Sequence, residues 1–221
     1  MTDEVAIARL RQGLYRFFGG ALIAPDEERL ASLTAAANLL DAMGLEAYAF
    51  HSQWRSLSDI MRQLPDERAL KAEYVRLFAS GVDDSFCPPI ESYYRAEAKG
   101  GGTAALVSSL ERQYLALGFT PIDGSEAPDH VATELEVMSA LCDREAVAWT
   151  LGNAPRAVST LADQDRFLRY HLATWFPAFR RRVLDARPIH FFEALIEASH
   201  AFVVHDVDLV RLMRREFEVV S

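Results

Sequence analysis

Apolar side chains recur every three or four positions along almost the whole chain, from Val5 to Phe217. This spacing places them on one face of an α-helix, and no stretch alternates with the period of two that a half-buried strand requires. The pattern predicts helices over residues 3–18, 25–40, 45–64, 66–79, 103–118 and 129–150, around Tyr93 and Tyr94, and through most of the chain beyond residue 155. We therefore expect an all-α fold, a single compact domain of about ten helices spanning residues 1–221.

Residues that start or stop helices set the expected boundaries. The glycine pair at 19–20 is expected to close the first helix, and Asp26 has the side chain that caps a helix N-terminus. Pro177 and Pro188 are expected at helix starts or kinks, because proline lacks the amide hydrogen that a helix interior needs. A proline-containing loop near residues 118–130 is expected to form a hinge.

Composition narrows the classes of partner. Of the 221 residues, half are hydrophobic and a quarter are charged, which is ordinary for a globular domain. The formal net charge of -9 argues against nucleic acid, because binding phosphates requires clustered lysine and arginine. No apolar run reaches the ~18 residues of a membrane span, and the acidic start MTDEVAIARL differs from a signal peptide. We expect a cytoplasmic protein in which Cys87 and Cys142 are free thiols.

Residues 73–95, EYVRLFASGVDDSFCPPIESYYR, combine an apolar, aromatic connection with acidic residues. Connections usually run over the surface, where such residues are uncommon. One interpretation is a loop that packs Phe86, Cys87 and Ile90 onto the core. The other is one wall of a groove for an extended, basic and partly apolar peptide, with the acids Asp83, Asp84 and Glu91 beside it.

Motifs for catalysis or metal binding are missing from the sequence. His190, His200 and His205 are ten and five residues apart, so they do not form the i, i+4 pair typical of a helical metal site. The chain has no GxSxG elbow, and its glycines at 100–102 lack the strand and the GK[ST] ending of a P-loop. We expect these glycines to form a mobile linker, and we predict no catalytic residue, no metal and no cofactor.

Polar residues at two further places have more than one interpretation. Asp129 is placed to cap the helix that follows it, which would bring His130 into the first turn. Glu134 falls close to the apolar face of that helix and so requires a partner. These residues either brace the loop or line a groove opposite residues 73–95. His171 and Trp175 are neighbours on one helix face, and we favour packing over ligand contact for both.

Three motifs occur in order between about residue 70 and residue 180. They are Tyr74-x-x-Leu77-Phe78 with Pro88-Pro89-x-Glu91-Ser92-x-Tyr94; Glu126-x-Pro128-Asp129-His130 with Glu134-Leu135 and Met138; and Phe167-x-x-x-His171-Leu172-x-x-Trp175-x-Pro177. In this combination the chain resembles the TorD/DmsD/NarJ family of cytoplasmic chaperones for molybdenum-containing redox enzymes.

The resemblance implies an all-helical, non-enzymatic protein, either a monomer or a homodimer. Its partner would be the apo catalytic subunit of a molybdopterin oxidoreductase of the DMSO-reductase family, whose cofactor insertion and assembly it would assist. It would also bind the twin-arginine leader of that subunit and hold back export. The client- and leader-binding positions carried over by motif are Tyr74, Leu77, Phe78, Pro89, Glu91, Tyr94, Asp129 and His130. Ile90 and Tyr93 depart from the family pattern and bear on which client is bound.

Two other functions remain open from the sequence. A helical structural or assembly subunit of a redox complex would show the same apolar pattern. A nucleotide-binding enzyme is the second, since GTP binding is linked to relatives of this family, although the missing P-loop argues against hydrolysis.

Overall fold

The computed structural model describes residues 3–79, 85–99, 102–120 and 126–218, with the side chains of 96–99 and 218 left aside. Within these ranges ten α-helices account for nearly all regular structure, and no strand is present. The helices are α1 (Asp3–Ala21), α2 (Glu27–Asp41), α3 (His51–Met61), α4 (Glu67–Tyr74), α5 (Glu91–Lys99), α6 (Thr103–Ala116), α7 (Val131–Thr150), α8 (Ala154–Tyr170), α9 (Leu172–Asp185) and α10 (His190–Glu218). A five-residue π-helical turn, Val75–Ala79, continues α4. The all-α prediction is confirmed.

Helices α1 and α7 form the centre of the fold, with the most extensive contact between any two described helices. They pack closely at Gly19, where a Cβ would lie 3.5 Å from the carbonyl oxygen of Ala132, an ordinary van der Waals distance. Helix α8 packs on α7, α10 packs on α3, α8 and α9, and α5 packs on α9 and α6. One hydrophobic core runs through these helices. No helix in the described residues is long and apolar enough to cross a membrane.

Several helix boundaries differ from the sequence prediction. Helix α1 continues past the glycine pair to Ala21, and α3 begins only at His51, because residues 45–50 form turns. Pro177 lies inside α9, so the prediction that it does not occupy a helix interior is wrong. Burying an aromatic side chain contributes about 1.5–3 kcal/mol, and the neighbouring buried Trp175 and Phe176 offset the lost backbone hydrogen bond.

Other boundary predictions are confirmed. Asp26 caps α2 by accepting a hydrogen bond from the backbone N–H of Arg29 at 2.8 Å, and Pro188 lies two residues before the first residue of α10. The predicted linker glycines at 100 and 101, and residues 121–125 of the predicted hinge, lie outside the described residues. The hinge therefore stays a prediction.

A buried arginine joins four helices. The Arg11 side chain is 2 % exposed and donates to Glu145 Oε2 at 2.7 Å and to Asp206 Oδ1 at 2.6 Å. It also donates to Gln164, and the Tyr15 hydroxyl donates to Asp206 Oδ2 at 2.6 Å. These residues come from α1, α7, α8 and α10. The network fixes the register of the central helices, because an unpaired charge at this depth would be strongly unfavourable.

Candidate functional site

Two short segments distant in sequence pair beside α5. The N–H of Val131 donates to the carbonyl oxygen of Pro89 at 2.8 Å, and the N–H of Glu91 donates to the carbonyl oxygen of Asp129 at 2.8 Å. Between them, Ile90 and His130 form an isolated antiparallel bridge. The residue before a proline is restricted to extended backbone, so the consecutive prolines at 88 and 89 favour this conformation. The pairing brings the start of α5 next to the start of α7.

Asp129 caps a different helix from the one expected. Its Oδ2 accepts a hydrogen bond at 3.3 Å from the backbone N–H of Ser92, in the first turn of α5. The N-cap of α7 is His130, whose Nδ1 accepts from the N–H of Ala132 at 3.1 Å. The prediction that Asp129 caps α7 is wrong, because the pairing with residues 89–91 turns its side chain towards α5. Burial lowers the pKa of His130, against the opposing effect of Glu126 and Asp129.

Glu91 and Glu134 form a carboxyl pair in the interior. Both are completely buried, and the two carboxyl groups lie within hydrogen-bonding reach of each other. Burial raises the pKa of the Glu134 carboxyl well above its usual value, and the negative charge of Glu91 raises it further. Glu134 Oε2 accepts from the Trp175 indole at 3.1 Å. In the described residues its other oxygen, Oε1, has no donor. A protonated Glu134 that donates to Glu91 from this oxygen accounts for all three observations.

Glu91 is also bound from two other sides. Arg95, one turn further along α5, donates to Glu91 Oε1 at 2.6 Å. His171, between α8 and α9, places Nδ1 2.9 Å from Glu91 Oε2 and Nε2 3.1 Å from the Gln113 side-chain oxygen on α6. We call Glu91, Asp129, Glu134, His171 and Trp175 the polar junction. It ties α5 to α6, α7 and α9 through side chains that are all buried.

Aromatic rings surround the polar junction. Tyr94 stacks on Trp175 with centroids 5.6 Å apart, and its edge meets Phe179 at 5.8 Å. Phe78 contacts Phe179 at 6.0 Å, and Tyr74 contacts Phe78 at 5.2 Å. The π-helical turn therefore places its aromatic residue in the same cluster as α5 and α9.

All eight predicted client-binding residues are buried, and the structure brings them to this one region. Glu91 and Asp129 belong to the polar junction and His130 adjoins it. Tyr94, Tyr74 and Phe78 belong to the aromatic cluster. Leu77 and Pro89 are buried, and their carbonyl oxygens accept from the N–H groups of Cys87 and Val131. Of the three apolar residues that the packing interpretation of residues 73–95 named, Cys87 is buried in the core, whereas Phe86 and Ile90 are half-buried. The groove interpretation stays a prediction. Asp83 and Asp84 lie outside the described residues.

His171 and Trp175 make polar contacts in addition to packing. Sequence reasoning assigned them to packing, but each side chain also contacts a buried carboxyl group. No signal in the sequence analysis pointed to the partner of His171, which is Glu91. For Trp175 the signal was the requirement that the Glu134 carboxyl have a buried partner. That requirement is confirmed.

An open groove lies elsewhere, between α1, α2 and α7. It has a volume of about 900 Å³, and Gly13, Gly19 and Gly20 are among its lining residues. Leu39 and Met43 at its edge are 71 % and 47 % exposed. None of the eight predicted residues lines it.

The fold resembles that of a crystal structure from Archaeoglobus fulgidus, a proposed redox enzyme maturation protein. The TM-score is 0.56 at 24% identity, and the match covers 88% of this chain and 93% of that one. At this identity the likeness defines the fold class alone. The sequence profile described as nitrate reductase delta subunit matches residues 43–181. The chain belongs to this family, which confirms its resemblance to the TorD and NarJ proteins.

Three curated relatives match between about half and two thirds of the chain. A chlorate reductase assembly chaperone from Ideonella dechloratans is 32% identical over 143 residues, which is 62% of this chain and 70% of the relative. A selenate reductase assembly chaperone from Thauera selenatis is 33% identical over 115 residues, 52% of this chain and 57% of the relative. The chaperone protein TorD from Aeromonas salmonicida is 30% identical over 155 residues, 67% and 65% of the two chains.

Proposed function

We propose that the protein is a non-enzymatic assembly chaperone for the apo catalytic subunit of a molybdopterin-containing oxidoreductase. The observation that carries this proposal is family membership together with relatives named as assembly chaperones for two different reductases. The all-helical fold, built around a polar junction from the three motif segments, supports it. The chaperone would act in the cytoplasm, before the subunit receives its cofactor.

The finer part of the proposal is recognition of the client's twin-arginine leader, which would delay export until assembly is complete. Three carboxyl groups, on Glu91, Asp129 and Glu134, converge in an aromatic setting. Acids beside aromatic surface suit a segment that is both basic and apolar, because arginine pairs with carboxylates and stacks on rings. The net charge of -9 favours approach by such a segment.

Co-purification from the native cell tests the function. The tagged chain should recover one molybdoenzyme catalytic subunit from the cytoplasm, identified by mass spectrometry, in a form without cofactor. Leader recognition is then measured by calorimetry with the leader peptide of that subunit, using a peptide with both arginines changed to glutamine as the matched control. Equal affinity for the two peptides would reject recognition of the arginine pair. Recovery of no catalytic subunit would reject the chaperone function.

A structural subunit of a redox complex is the second candidate, because the matching family is described as a delta subunit. The two functions differ in the mature enzyme. A chaperone is absent from the purified active complex, whereas a subunit stays in fixed ratio to the catalytic chain. Quantitative mass spectrometry of the active complex distinguishes them.

A further inference from the structure

Residues 85–95 are attached to the body of the protein by a set of polar contacts and by the burial of Cys87 and Tyr94 in the core. Their backbone pairs with residues 129–131, and the Ser92 N–H is bound by Asp129. Arg182 on α9 donates to the carbonyl oxygen of Phe86 at 2.7 Å and lies 5.2 Å from the Tyr93 ring. Helix α5 has nine residues, fewer than the ~12–15 that an isolated helix needs in water. Its helical structure therefore depends on these attachments.

The surface beneath this segment is aromatic. Tyr94 covers Trp175 and Phe179, and Phe78 contacts Phe179. If the segment moved away, Trp175 and Phe179 would lose their cover, and Asp129 and Glu134 would lose partners on α5. The uncovered surface would combine two carboxylates with a row of rings, whereas Arg182 would lie at its edge.

We propose that residues 85–95 are a latch segment, and that the aromatic surface beneath it receives an apolar, arginine- or lysine-bearing segment of the client. The occupant follows from charge complementarity, since a cation beside Asp129 and Glu134 would replace the contacts that these acids make with the latch segment. This inference rests on the proposed chaperone function. It explains how residues that are buried in the closed structure take part in binding.

Opening of the latch segment would be linked to proton release. In the closed structure Glu134 faces Glu91 on α5, with Asp129 close by and Tyr114 on α6. Arg95 and His171 contact Glu91. Because the pKa of Glu134 is raised in the closed state, low pH favours closure, and closure is lost as the pH rises through that pKa. Up to that pKa, the open population should rise up to about tenfold per pH unit.

Protonation of His130 affects opening of the latch segment in the opposite direction to protonation of Glu134. Its pKa is lowered by burial from the usual value of 6.5, so opening takes up a proton there only in acid. Measurements at pH 7.0–8.5 therefore isolate the contribution of Glu134.

The two native cysteines can report opening of the latch segment, so no engineered cysteine is needed. Cys87 is completely buried within the latch segment, where its N–H donates to the carbonyl oxygen of Leu77, and burial raises the pKa of its thiol to about 11. Cys142 is completely buried in α7 and serves as the internal control for global unfolding. We expect Ellman's reagent to label Cys87 before Cys142. After correction for thiolate formation in a model thiol, the Cys87 rate should rise with pH by up to about tenfold per unit.

Glu134→Gln is the matched variant, because an amide can donate to Glu91 and accept from Trp175 but cannot release a proton. The corrected rate of Cys87 labelling should become independent of pH in this variant, with an unchanged helical circular dichroism spectrum. Equal labelling rates for both cysteines in the wild type would refute the latch. Should the variant not fold, hydrogen exchange of the Val131 amide against the amides of central α7 in the wild type provides the same test.

The receiving surface is tested with a synthetic peptide that has two arginines followed by ten apolar residues. Its affinity should rise with pH in the wild type and lose this dependence in Glu134→Gln, because apparent affinity scales with the open population. Leu39→Glu, in the groove between α1, α2 and α7, should leave the affinity unchanged. Loss of binding in Leu39→Glu alone would place the peptide in that groove and overturn the surface assignment. If the peptide does not bind but the client is still recovered from cells, the proposed peptide-binding role of the aromatic surface is rejected. The proposed chaperone function is not affected by that result.

Discussion

Replacing Asp129 by alanine should loosen α5 and leave α7 unaffected. The residue in the N-cap position of α5 is Ile90, whose side chain has no acceptor, so Asp129 supplies the cap from another part of the chain. Loss of a capping side chain typically costs about 1 kcal/mol, which corresponds to about fivefold in a local opening equilibrium. Amide hydrogen exchange read by NMR should therefore show the Ser92 N–H exchanging about fivefold faster.

His130→Ala is the crossed control for this prediction. Its ring accepts from the Ala132 N–H, so this change should accelerate exchange in the first turn of α7 and spare Ser92. Asp129→Asn should resemble the wild type at Ser92, because asparagine caps about as well as aspartate. Faster exchange at Ala132 in Asp129→Ala, with Ser92 unchanged, would show that Asp129 caps α7 after all.

Three other predictions concern stability. Arg11→Met leaves the buried carboxylates of Glu145 and Asp206 uncompensated and should cost about 3–5 kcal/mol in urea unfolding; a loss below about 1 kcal/mol would contradict the role of the network. Because the folded-state pKa of Glu134 is raised, stability should fall as the pH rises from about 7 to 8.5, above the range in which His130 titrates, and Glu134→Gln should flatten this profile in thermal melts. Gly19→Ala should stabilise by about 0.5–1 kcal/mol, since the added Cβ meets only ordinary contacts in a helix, whereas Gly118→Ala should destabilise at φ +81°; the opposite order would refute this.

The helices could be predicted from sequence because each depends on apolar spacing within the helix itself. Interruptions were harder to place, as at residues 45–50, where apolar side chains pack on the core from turns and so continue the helical pattern. Pro177 was misplaced for a related reason. The free-energy cost of a proline in a helix is local. The burial of Trp175 and Phe176 that offsets it depends on contacts with other helices.

The candidate site could be predicted as a set of residues but not as an arrangement. The motifs named the participants, yet no spacing in one sequence indicates that Glu91 meets Glu134 or that Asp129 turns towards α5. Arg11 was missed although a signal existed, because it falls on the buried face of α1 between Ala8 and Tyr15. Charge on an apolar helix face indicates a distant counter-charge without showing where it lies.

The Arg11 network has a consequence for the biosynthesis of the protein. Arg11 is made early, whereas its partner Asp206 follows 195 residues later. At about 5–20 residues per second, translation of that interval takes roughly 10–40 s. Until α10 leaves the ribosome, α1 has an arginine that can be buried only at high cost, so the central helices cannot close fully. A chain truncated before residue 206 should therefore stay loosely packed, and a complete α10 is the condition for full packing of the central helices.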